Sequence, residues 1–420
     1  MTILLLYATP DTLHFQVRKD RVVAAGKYGR LGTAGAFFEI QRAGEEPYTE
    51  STGAIDHRAA LRRLVEYLQR NQHILAIDDI LAVIHRIPQG GRSFGTSVRL
   101  DHAAAARLEA MLRAHHALPA IAQVVRAALN QLPNAHHVGV VGSGIYQYLP
   151  DAHHTLATSP ELRKSFAHAV GGEDGLWHEA AYQAALELVG AKRPLRAVSI
   201  HIEDQVTVTA LRAGRALATT SGVGATASIP GLHSAGAVAP DTALSIAEAL
   251  DTETWRVAEL LAERSGLAGM TGRSSYAQIE VAARAGDAAC IEALMLLAYR
   301  IAFVTAGMSA AIGAPELIVF SGDGASWTII EETCRRLPGV NLRAGKAKPG
   351  AIVSAPGSRA AVVWVEHTLD EALVRLAAPH LPTGVGRVRR KTTSSQRREV
   401  PKHPKKRTRR RARVTITRKR

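Results

Sequence analysis

The sequence predicts an α/β protein built from two similar lobes, followed by a basic tail. Three observations carry this prediction: the chain is long and apolar enough for large cores, short apolar strands alternate with helical patterns, and one hairpin pattern occurs twice. The chain has 420 residues, of which 46% are hydrophobic, enough for two or three domains. Strands that alternate with helices are typical of α/β architecture. We expect a ligand cleft between the two lobes.

The repeated hairpin is the first element. Alternating apolar residues predict strands over 2–7, 13–17 and 22–25, with a polar turn before the last. The pattern recurs 194 residues later, over 197–202, 206–211 and 216–219. Because each hairpin opens about half of the chain body, the pattern indicates an internal duplication. A chance likeness of two β-hairpins is the alternative.

The remaining elements follow from periodicity and capping. Apolar residues at three and four spacing, such as Leu61, Leu64 and Leu68, predict a helix over 57–72. Asp101 is placed to cap the next helix. The same reasoning predicts helices over 101–116, 119–132, 244–262, 276–307 and 369–378, and strands over 77–84, 137–141, 316–320 and 360–365.

The charge of the chain is concentrated at its C-terminal end. Residues 387–420 hold 17 of the 52 basic residues and one of the 37 acidic residues, so this segment carries +16 and the rest −1. Such a segment buries too little apolar surface to fold alone and is predicted to be disordered. It can bind any polyanion by counterion release, including nucleic acid. Since it has no aromatic residue, we expect no sequence-specific recognition, and a solubility extension is the alternative.

Cysteine usage and hydropathy predict a soluble cytoplasmic protein. Cys290 and Cys334 are the two cysteines, too few for a disulfide framework and not spaced as a metal pair. The apolar start over 3–6 is shorter than a signal-peptide core, and no apolar run approaches the roughly 20 residues that span a bilayer. We therefore expect no transmembrane segment.

Several motifs resemble those of the acetate kinase family. The segment 85–91 reads His-Arg-Ile-Pro-Gln-Gly-Gly, where that family has His-Arg-Val-Val-His-Gly-Gly. Weaker matches follow in the same order at 141–150, 172–178, 201–214, 265–267 and 320–322. The similarity extends over roughly residues 2–380, with no motif intact.

The resemblance implies the fold shared by acetate and sugar kinases, actin and the heat-shock ATPases. It implies a first lobe over 1–150, to which 368–382 returns, a second lobe over 151–367, and the tail over 383–420. It also implies a homodimer, ATP, magnesium, and phosphoryl transfer to a small carboxylate.

The catalytic positions implied by the resemblance are mostly altered. Arg86 matches the family's first arginine and is suited to grip a carboxylate or phosphate as a fork; a structural salt bridge is the alternative. The catalytic histidine position falls on Asp174, and the second arginine position on Ser234. The aspartate falls on Gly142 and an asparagine on Tyr7.

The positions implied for substrate and phosphate carry an unfavourable charge. His178 matches a second motif histidine and either binds substrate or packs in its helix. In the phosphate hairpin His201, Glu203 and Asp204 stand where glycines would let backbone N–H groups approach phosphates. Carboxylates at these positions repel the phosphates of ATP unless they bind a magnesium ion. His233 is a pH-dependent cation beside Ser234.

The adenosine side and the metal position are closer to the family pattern. Gly322, Asp323 and Gly324 form the predicted nucleotide turn, and Trp327 either stacks on a base or packs in the core. Asp370 and Glu371 fall near the metal-linked glutamate. Acidic residues also stabilise the start of a helix through the helix dipole, and this explains their position equally well.

Three histidine doublets, 115–116, 136–137 and 153–154, do not predict zinc. Adjacent residues point apart, and the spacing of tetrahedral ligands is missing. We expect solvated side chains.

Three functions remain open on the sequence alone. The first is an active acetate- or propionate-type kinase. The second, which the altered positions favour, is a pseudoenzyme that keeps the fold for binding or regulation. The third is polyanion binding through the tail.

Overall fold

The computed structural model describes residues 2–71, 79–90, 93–114, 119–154, 157–165, 172–222, 229–345 and 347–382. These residues form two β-sheets with helices on both faces. The fold class predicted from the sequence is confirmed.

The first sheet has eight strands. Their order across the sheet is β5-β4-β3-β2-β1-β6-β8-β7. The strands are β1 Thr2–Ala8, β2 Leu13–Arg18, β3 Val22–Gly29, β4 Phe37–Arg42, β5 Tyr48–Ser51, β6 Ile80–Ile87, β7 Ser97–Arg99 and β8 His136–Val141. The β1–β6 and β6–β8 pairs are parallel, and the others are antiparallel.

The second sheet has six strands in the order β11-β10-β9-β12-β14-β13. The strands are β9 Ala197–Ile202, β10 Val206–Arg212, β11 Arg215–Thr219, β12 Leu317–Ser321, β13 Ala351–Ile352 and β14 Ala361–Trp364. Here β9–β12 and β12–β14 are parallel and the edge pair β13–β14 is antiparallel. This order repeats β3-β2-β1-β6-β8-β7 strand for strand, so the two halves are related by the duplication that the hairpins predicted.

Thirteen α-helices are assigned within the described residues. They are α1 His57–Arg70, α2 His102–Ala114, α3 Pro119–Gln131, α4 Asp151–His154, α5 Pro160–Ser165, α6 Gly175–Val189, α7 Pro240–Ala249, α8 Thr254–Glu263, α9 Gly266–Thr271, α10 Tyr276–Arg284, α11 Ala288–Ile312, α12 Trp327–Arg335 and α13 Leu369–Ala377. A 3₁₀ helix, Gly144–Tyr148, follows β8.

Helix α6 packs between the two sheets. Its Leu176 and Ala180 lie in a core with β1, β6 and α13, whereas Ala181, Tyr182 and Ala185 lie in a core with the second sheet. The outer faces of the sheets are covered by α1 to α3 in the first half and by α9 to α12 in the second. The N-terminal end of α6 therefore lies where the two halves meet.

Two helix predictions were wrong. The segment 244–262 is two helices, because Asp251 after α7 has a positive φ of 46°. The segment 276–307 is also two helices: Gly286 has a φ of 93°, and the Asp287 carboxylate caps α11 by accepting from Cys290 N at 3.1 Å. Around the second break, Ile279 of α10 and Cys290 of α11 are buried in the same core, so the apolar pattern continues across it. Strands β4, β5, β7 and β13 and helices α4, α5, α9 and α12 were not predicted.

One helix within the described residues, α11, is long and apolar enough to cross a membrane by length and composition. A single such helix is weak evidence, since core helices pass the same test. Ten of its 25 residues are buried, and eight of these, including Cys290, Leu294 and Ile301, lie in the second core.

Candidate functional site

Arg86 lies near the end of β6, opposite Tyr7 of β1 in the parallel register. Its Nη2 donates to Glu173 Oε2 at 2.8 Å, and its guanidinium carbon is 4.4 Å from the centre of the Tyr7 ring. The side chain is 13% exposed, and Nε has no hydrogen-bond partner among the described residues. Arg86 thus forms the salt bridge considered above, and within the described ranges its Nε–H is not used by another residue.

Asp174 immediately precedes α6, and both of its carboxylate oxygens accept hydrogen bonds. Oδ1 accepts from Ser221 Oγ at 2.5 Å, and Oδ2 accepts from Tyr146 Oη at 3.2 Å and lies 3.5 Å from His178 Nε2. Burial raises the pKa of Asp174, but hydrogen bonds from His178, Ser221 and Thr207 outweigh it, so the pKa is lowered to about 2. The carboxylate is therefore ionised and committed to protein groups.

His178 is fully buried on α6. Its Nδ1 lies 2.9 Å from Ser199 Oγ and its Nε2 lies 3.0 Å from Thr207 Oγ1. Burial lowers the pKa of His178, although Asp174 opposes this. Both nitrogens are thus engaged by hydroxyl groups of β9 and β10, and the ring fixes α6 to the second sheet.

His201 stands near the end of β9 in an aromatic stack. Trp177 lies 5.2 Å from its ring and 5.4 Å from the ring of His367. His201 Nδ1 is 3.1 Å from Ser321 Oγ, whereas its Nε2 and both nitrogens of His367 have no hydrogen-bond partner among the described residues. Burial lowers the pKa of His367 to about 4, with His201 and Arg375 acting in the same direction. This imidazole is uncharged at neutral pH.

Glu203 and Asp204 form the turn after β9. Glu203 Oε1 is 3.4 Å from His201 Nε2. The pKa of Glu203 is lowered by its contact with His201, which outweighs burial, and by the charge of Arg86. Asp204 pairs with the exposed His233. Glu203 therefore places a negative charge near Arg86, whereas Asp204 is held by His233 at the surface.

Ser234 is buried in a loop that α9 holds in place. Its hydroxyl accepts from Gly236 N at 3.3 Å. Ser265 N donates to His233 O at 2.8 Å, and Gly266 has a φ of 62° at a point where a Cβ would lie 2.5 Å from Gly231 O. Backbone packing therefore fixes this loop.

The turn after β12 packs on the end of β9. Gly322 has a φ of 92°, and a Cβ there would lie 2.3 Å from Ile202 O; a Cβ at Gly324 would lie 2.5 Å from the Ile202 side chain and 2.7 Å from the Tyr276 ring. Asp323 is exposed. These glycines are thus required by close protein contacts, in addition to any role toward a ligand.

Trp327 begins α12 and is partly buried against the second core. It also lines a cavity of about 580 Å³ with Arg284 and Arg343. Beside it, the buried Glu280 accepts hydrogen bonds from Ser326 and Thr328.

Asp370 and Glu371 are engaged at the start of α13. Asp370 pairs with Arg18, with both side chains 13% exposed. Glu371 Oε2 accepts from Thr368 N at 3.2 Å, which completes a capping box. No cluster of three or more His, Cys, Asp or Glu side chains suited to a metal ion occurs in the described part of the chain.

One histidine prediction was wrong. His137 is 3% exposed, with Nδ1 3.3 Å from His85 Nε2 and Nε2 2.9 Å from Leu132 O. Burial lowers the pKa of both rings of this pair. His153 is exposed as expected, whereas residues 115–116, the side chain of His154 and the tail over 387–420 lie outside the described residues.

Sequence reasoning missed three residues at this site: Glu173, Trp177 and His367. Glu173 stands beside a residue that the motif singled out, so two consecutive acids before a helix were an available signal. Trp177 and His367 are 190 residues apart, and only the fold stacks them.

Comparisons with known proteins point to one family. The model of the acetokinase family matches residues 2–375. The chain is 26% identical over 389 residues to an acetate kinase of Carboxydothermus hydrogenoformans, covering 89% of this chain and 97% of the relative. It is 29% identical over 332 residues to an acetate kinase of Symbiobacterium thermophilum, covering 77% and 83%.

Solved structures support the same fold. The chain superposes on an acetate kinase of Porphyromonas gingivalis with a TM-score of 0.77 at 23% identity, covering 90% of this chain and 98% of the other. For an acetate kinase of Entamoeba histolytica the TM-score is 0.73 at 19% identity, with coverage of 90% and 99%.

Proposed function

Since the chain belongs to the acetokinase family, we propose that it is a member which keeps the fold and a binding cleft but does not transfer phosphate from ATP to a carboxylate. One observation carries the proposal. Arg86, the one cationic group retained from the family pattern, is paired with Glu173 at 2.8 Å, and Glu203 adds a further negative charge nearby. A migrating phosphoryl group needs surplus positive charge around it.

Contacts with neighbouring residues constrain the side chain at two of the altered positions. A Cβ at Gly142 would lie 2.7 Å from Glu173 Cα, so the family's aspartate does not fit there without backbone movement. Asp174 replaces a potential cation and is held by Ser221 and Tyr146. Single reversions at these positions therefore conflict with their neighbours.

Family membership implies ATP and magnesium, but the residues present fit this pair poorly. Glu203 stands in the turn that would approach the phosphates, and two unit charges 4 Å apart at an effective dielectric of about 20 interact by ~4 kcal/mol. Asp370 is paired with Arg18, and Glu371 caps α13. We therefore derive no reaction step through Mg-ATP.

A coupled ADP-release assay with acetate, propionate and butyrate tests the proposal. We expect no carboxylate-dependent rate above that of Arg86→Ala. A rate that Arg86→Ala abolishes would establish an active kinase with a rearranged site. Isothermal titration of ATP, ADP and AMP, with and without magnesium, should show little heat, and tight magnesium-dependent ATP binding would count against the proposal.

The expected homodimer has a candidate surface on α7 and α8. Trp255 is 60% and Leu250 is 58% exposed, and Leu244 is similarly open. Three large apolar residues on one helical pair favour a covered surface. Light scattering should report a dimer that Trp255→Glu splits, whereas Arg62→Glu, at an exposed position of α1, should leave the measured mass unchanged.

The basic tail supports a second, independent role in polyanion binding. Its charge of +16 over 387–420 predicts salt-sensitive retention on DNA. Deletion of 387–420 should abolish that retention, and unchanged retention would refute the assignment.

A further inference from the structure

Helix α1 presents an arginine-rich face to solvent. Its apolar side packs in the first core. On the other side the exposed residues include four arginines and the one acidic residue of the helix, which together we call the arginine face: Arg58, Arg62, Arg63, Glu66 and Arg70. At 3.6 residues per turn these side chains fall within an arc of about 140°. Four arginines and one glutamate give the face a net charge of +3, whereas the chain before residue 387 carries −1 in total.

The arginine face is not neutralised by the protein. In the part of the chain that the structure describes, no ion pair joins its four arginines to a carboxylate, whereas the two arginines at the end of α12 share the carboxylate of Glu332. Arg63 Nη1 donates to Thr52 O at 3.0 Å. Besides burial, Glu50 raises the pKa of the nearby Tyr28 and Arg63 lowers it, so acidic charge adjoins the face around Arg63. The other three arginines therefore carry the surplus charge.

This surplus favours a phosphate-rich partner. Like charges one turn apart destabilise a helix, and a bound anion relieves that repulsion. The guanidinium group suits phosphate because its fork donates two parallel hydrogen bonds. The arginine face contains no aromatic residue, whereas proteins that bind single strands use aromatic side chains as stacking platforms. Tyr67, the aromatic residue of α1, is partly buried, and its hydroxyl accepts from Arg42 at 2.9 Å. A nucleic-acid backbone with paired bases fits this surface best.

The spacing along α1 matches the major groove of a DNA duplex. Arg62 and Arg70 are eight residues apart, or about 12 Å along the helix, and the major groove of B-DNA is about 12 Å wide. Because the apolar side of α1 is packed in the core, the helix lies across a groove and cannot enter it. Arg58 extends the row to about 18 Å. In double-stranded RNA the major groove is narrow, so the same span favours DNA.

We infer that the arginine face of α1 binds the phosphate backbone of duplex DNA without sequence preference. Arg58 and Arg62 contact one strand, and Arg70 contacts the strand across the major groove. Each phosphate neutralised in this way releases counterions, so the binding weakens with salt. The inference is independent of the proposed loss of kinase activity, and it requires no contact from the tail.

Fluorescence anisotropy of the full chain with a labelled duplex tests this, over about 50 to 200 mM NaCl. The variant Arg58→Gln/Arg62→Gln/Arg70→Gln keeps the helix, since glutamine and arginine have similar helix propensity. At about 0.9 per phosphate contact, the slope of log affinity against log salt should fall in magnitude by about 2 to 3. The affinity at the lowest salt should fall at least tenfold. An unchanged slope and affinity would overturn the inference.

A matched control removes the same charge elsewhere. Arg212→Gln/Arg300→Gln/Arg359→Gln changes three exposed arginines of the second half, and its slope should change by less than about 0.5. If this control loses as much affinity as the α1 variant, net charge alone is responsible and the inference is wrong.

Two further measurements sharpen the assignment. Glu66→Gln removes the one acid of the arginine face and should raise duplex affinity at least twofold, and weaker binding would contradict the inference. The triple α1 variant should lose less than half as much affinity for a single strand as for the duplex, and an equal loss would refute the groove geometry. Both chains keep the tail, so this comparison fails or succeeds separately from deletion of 387–420.

Discussion

The two halves of the molecule share one strand order, but the ends of their central strands are packed differently. In the first half Tyr7 pairs with Arg86 across β1 and β6, and a cavity of about 500 Å³ remains beside them. In the second half His201 pairs with Ser321 across β9 and β12. There Trp177 stacks on His201, and the turn after β12 packs on Ile202.

This difference shows that the topology sets where the strand ends meet, whereas the side chains decide whether a cavity remains there. A duplicated fold brings equivalent strand ends to the junction of the halves, where ligand clefts are expected. Whether the end stays open depends on the residues next to it. Ile202, Gly322 and Gly324 close the second end by direct contact. The first end keeps apolar walls, and Arg86 Nε has no hydrogen-bond partner in the described part of the chain.

The largest expected effect is at the closed end. Gly322→Ala places a Cβ 2.3 Å from Ile202 O at a φ of 92°, so the free energy of unfolding should fall by about 3 kcal/mol or more. Gly190→Ala is the matched control, since Gly190 has a φ of 65° with no atom within 4 Å of its Cβ; about 1 kcal/mol is expected there. Urea unfolding measures both, and equal losses would mean that the turn is not tightly packed.

The junction of the halves should be nearly as sensitive. His178→Ala leaves the hydroxyls of Ser199 and Thr207 without their ring partner and opens a cavity in the core, so about 2–3 kcal/mol of stability should be lost. His233→Ala, at a histidine 40% exposed, should cost under about 1 kcal/mol. A small effect of His178→Ala in thermal unfolding would show that α6 is held mainly by apolar contacts.

Acid should weaken the second half through His367. Its pKa is lowered to about 4 by burial, from about 6.5 in an unfolded chain. Between these values the unfolded state binds the proton and the native state does not, so stability falls as the pH drops from about 6.5 to 4, by on the order of 2 kcal/mol. His367→Phe should flatten this part of the pH profile of urea unfolding.

His85 and His137 act in the same direction, so some slope will remain in that variant. Below pH 4, protonation of Asp174 removes further stability down to its pKa of about 2. An unchanged profile in His367→Phe would contradict the assignment of an uncharged ring.

The smallest effect concerns anions at the turn after β9. Glu203→Gln removes a charge close to Arg86, so the affinity for inorganic phosphate should rise about three- to tenfold, equivalent to roughly 1 kcal/mol. Asp204→Asn is the control, because Asp204 is exposed and paired with His233, and a change below about twofold is expected. Equal gains in the two variants would indicate a general charge effect.

Much of the fold could be predicted from the sequence. The strand pattern of residues 2–25 recurs at 197–219 because half-buried strands require alternating apolar residues, and the structure confirms both hairpins and the duplication. The long helix predicted over 276–307 failed because apolar periodicity continues through Gly286 and Asp287, which end one helix and cap the next. The capping residues were visible in the sequence, but they are a weaker signal than the apolar periodicity around them.

The candidate site, like the fold, was predictable from the sequence only in part. The sequence by itself determined that Arg86, Asp174 and Glu203 are one base and two acids at positions that the family resemblance singles out, and that the net positive charge is concentrated in 387–420, because residue type and order are written directly in the chain. Only the tertiary structure decided that Glu173 pairs with Arg86, that Trp177 lies between His201 and His367, and that Gly142 has no room for a side chain. Such contacts depend on the distance between residues far apart in sequence, and that distance is set when the two sheets pack around α6.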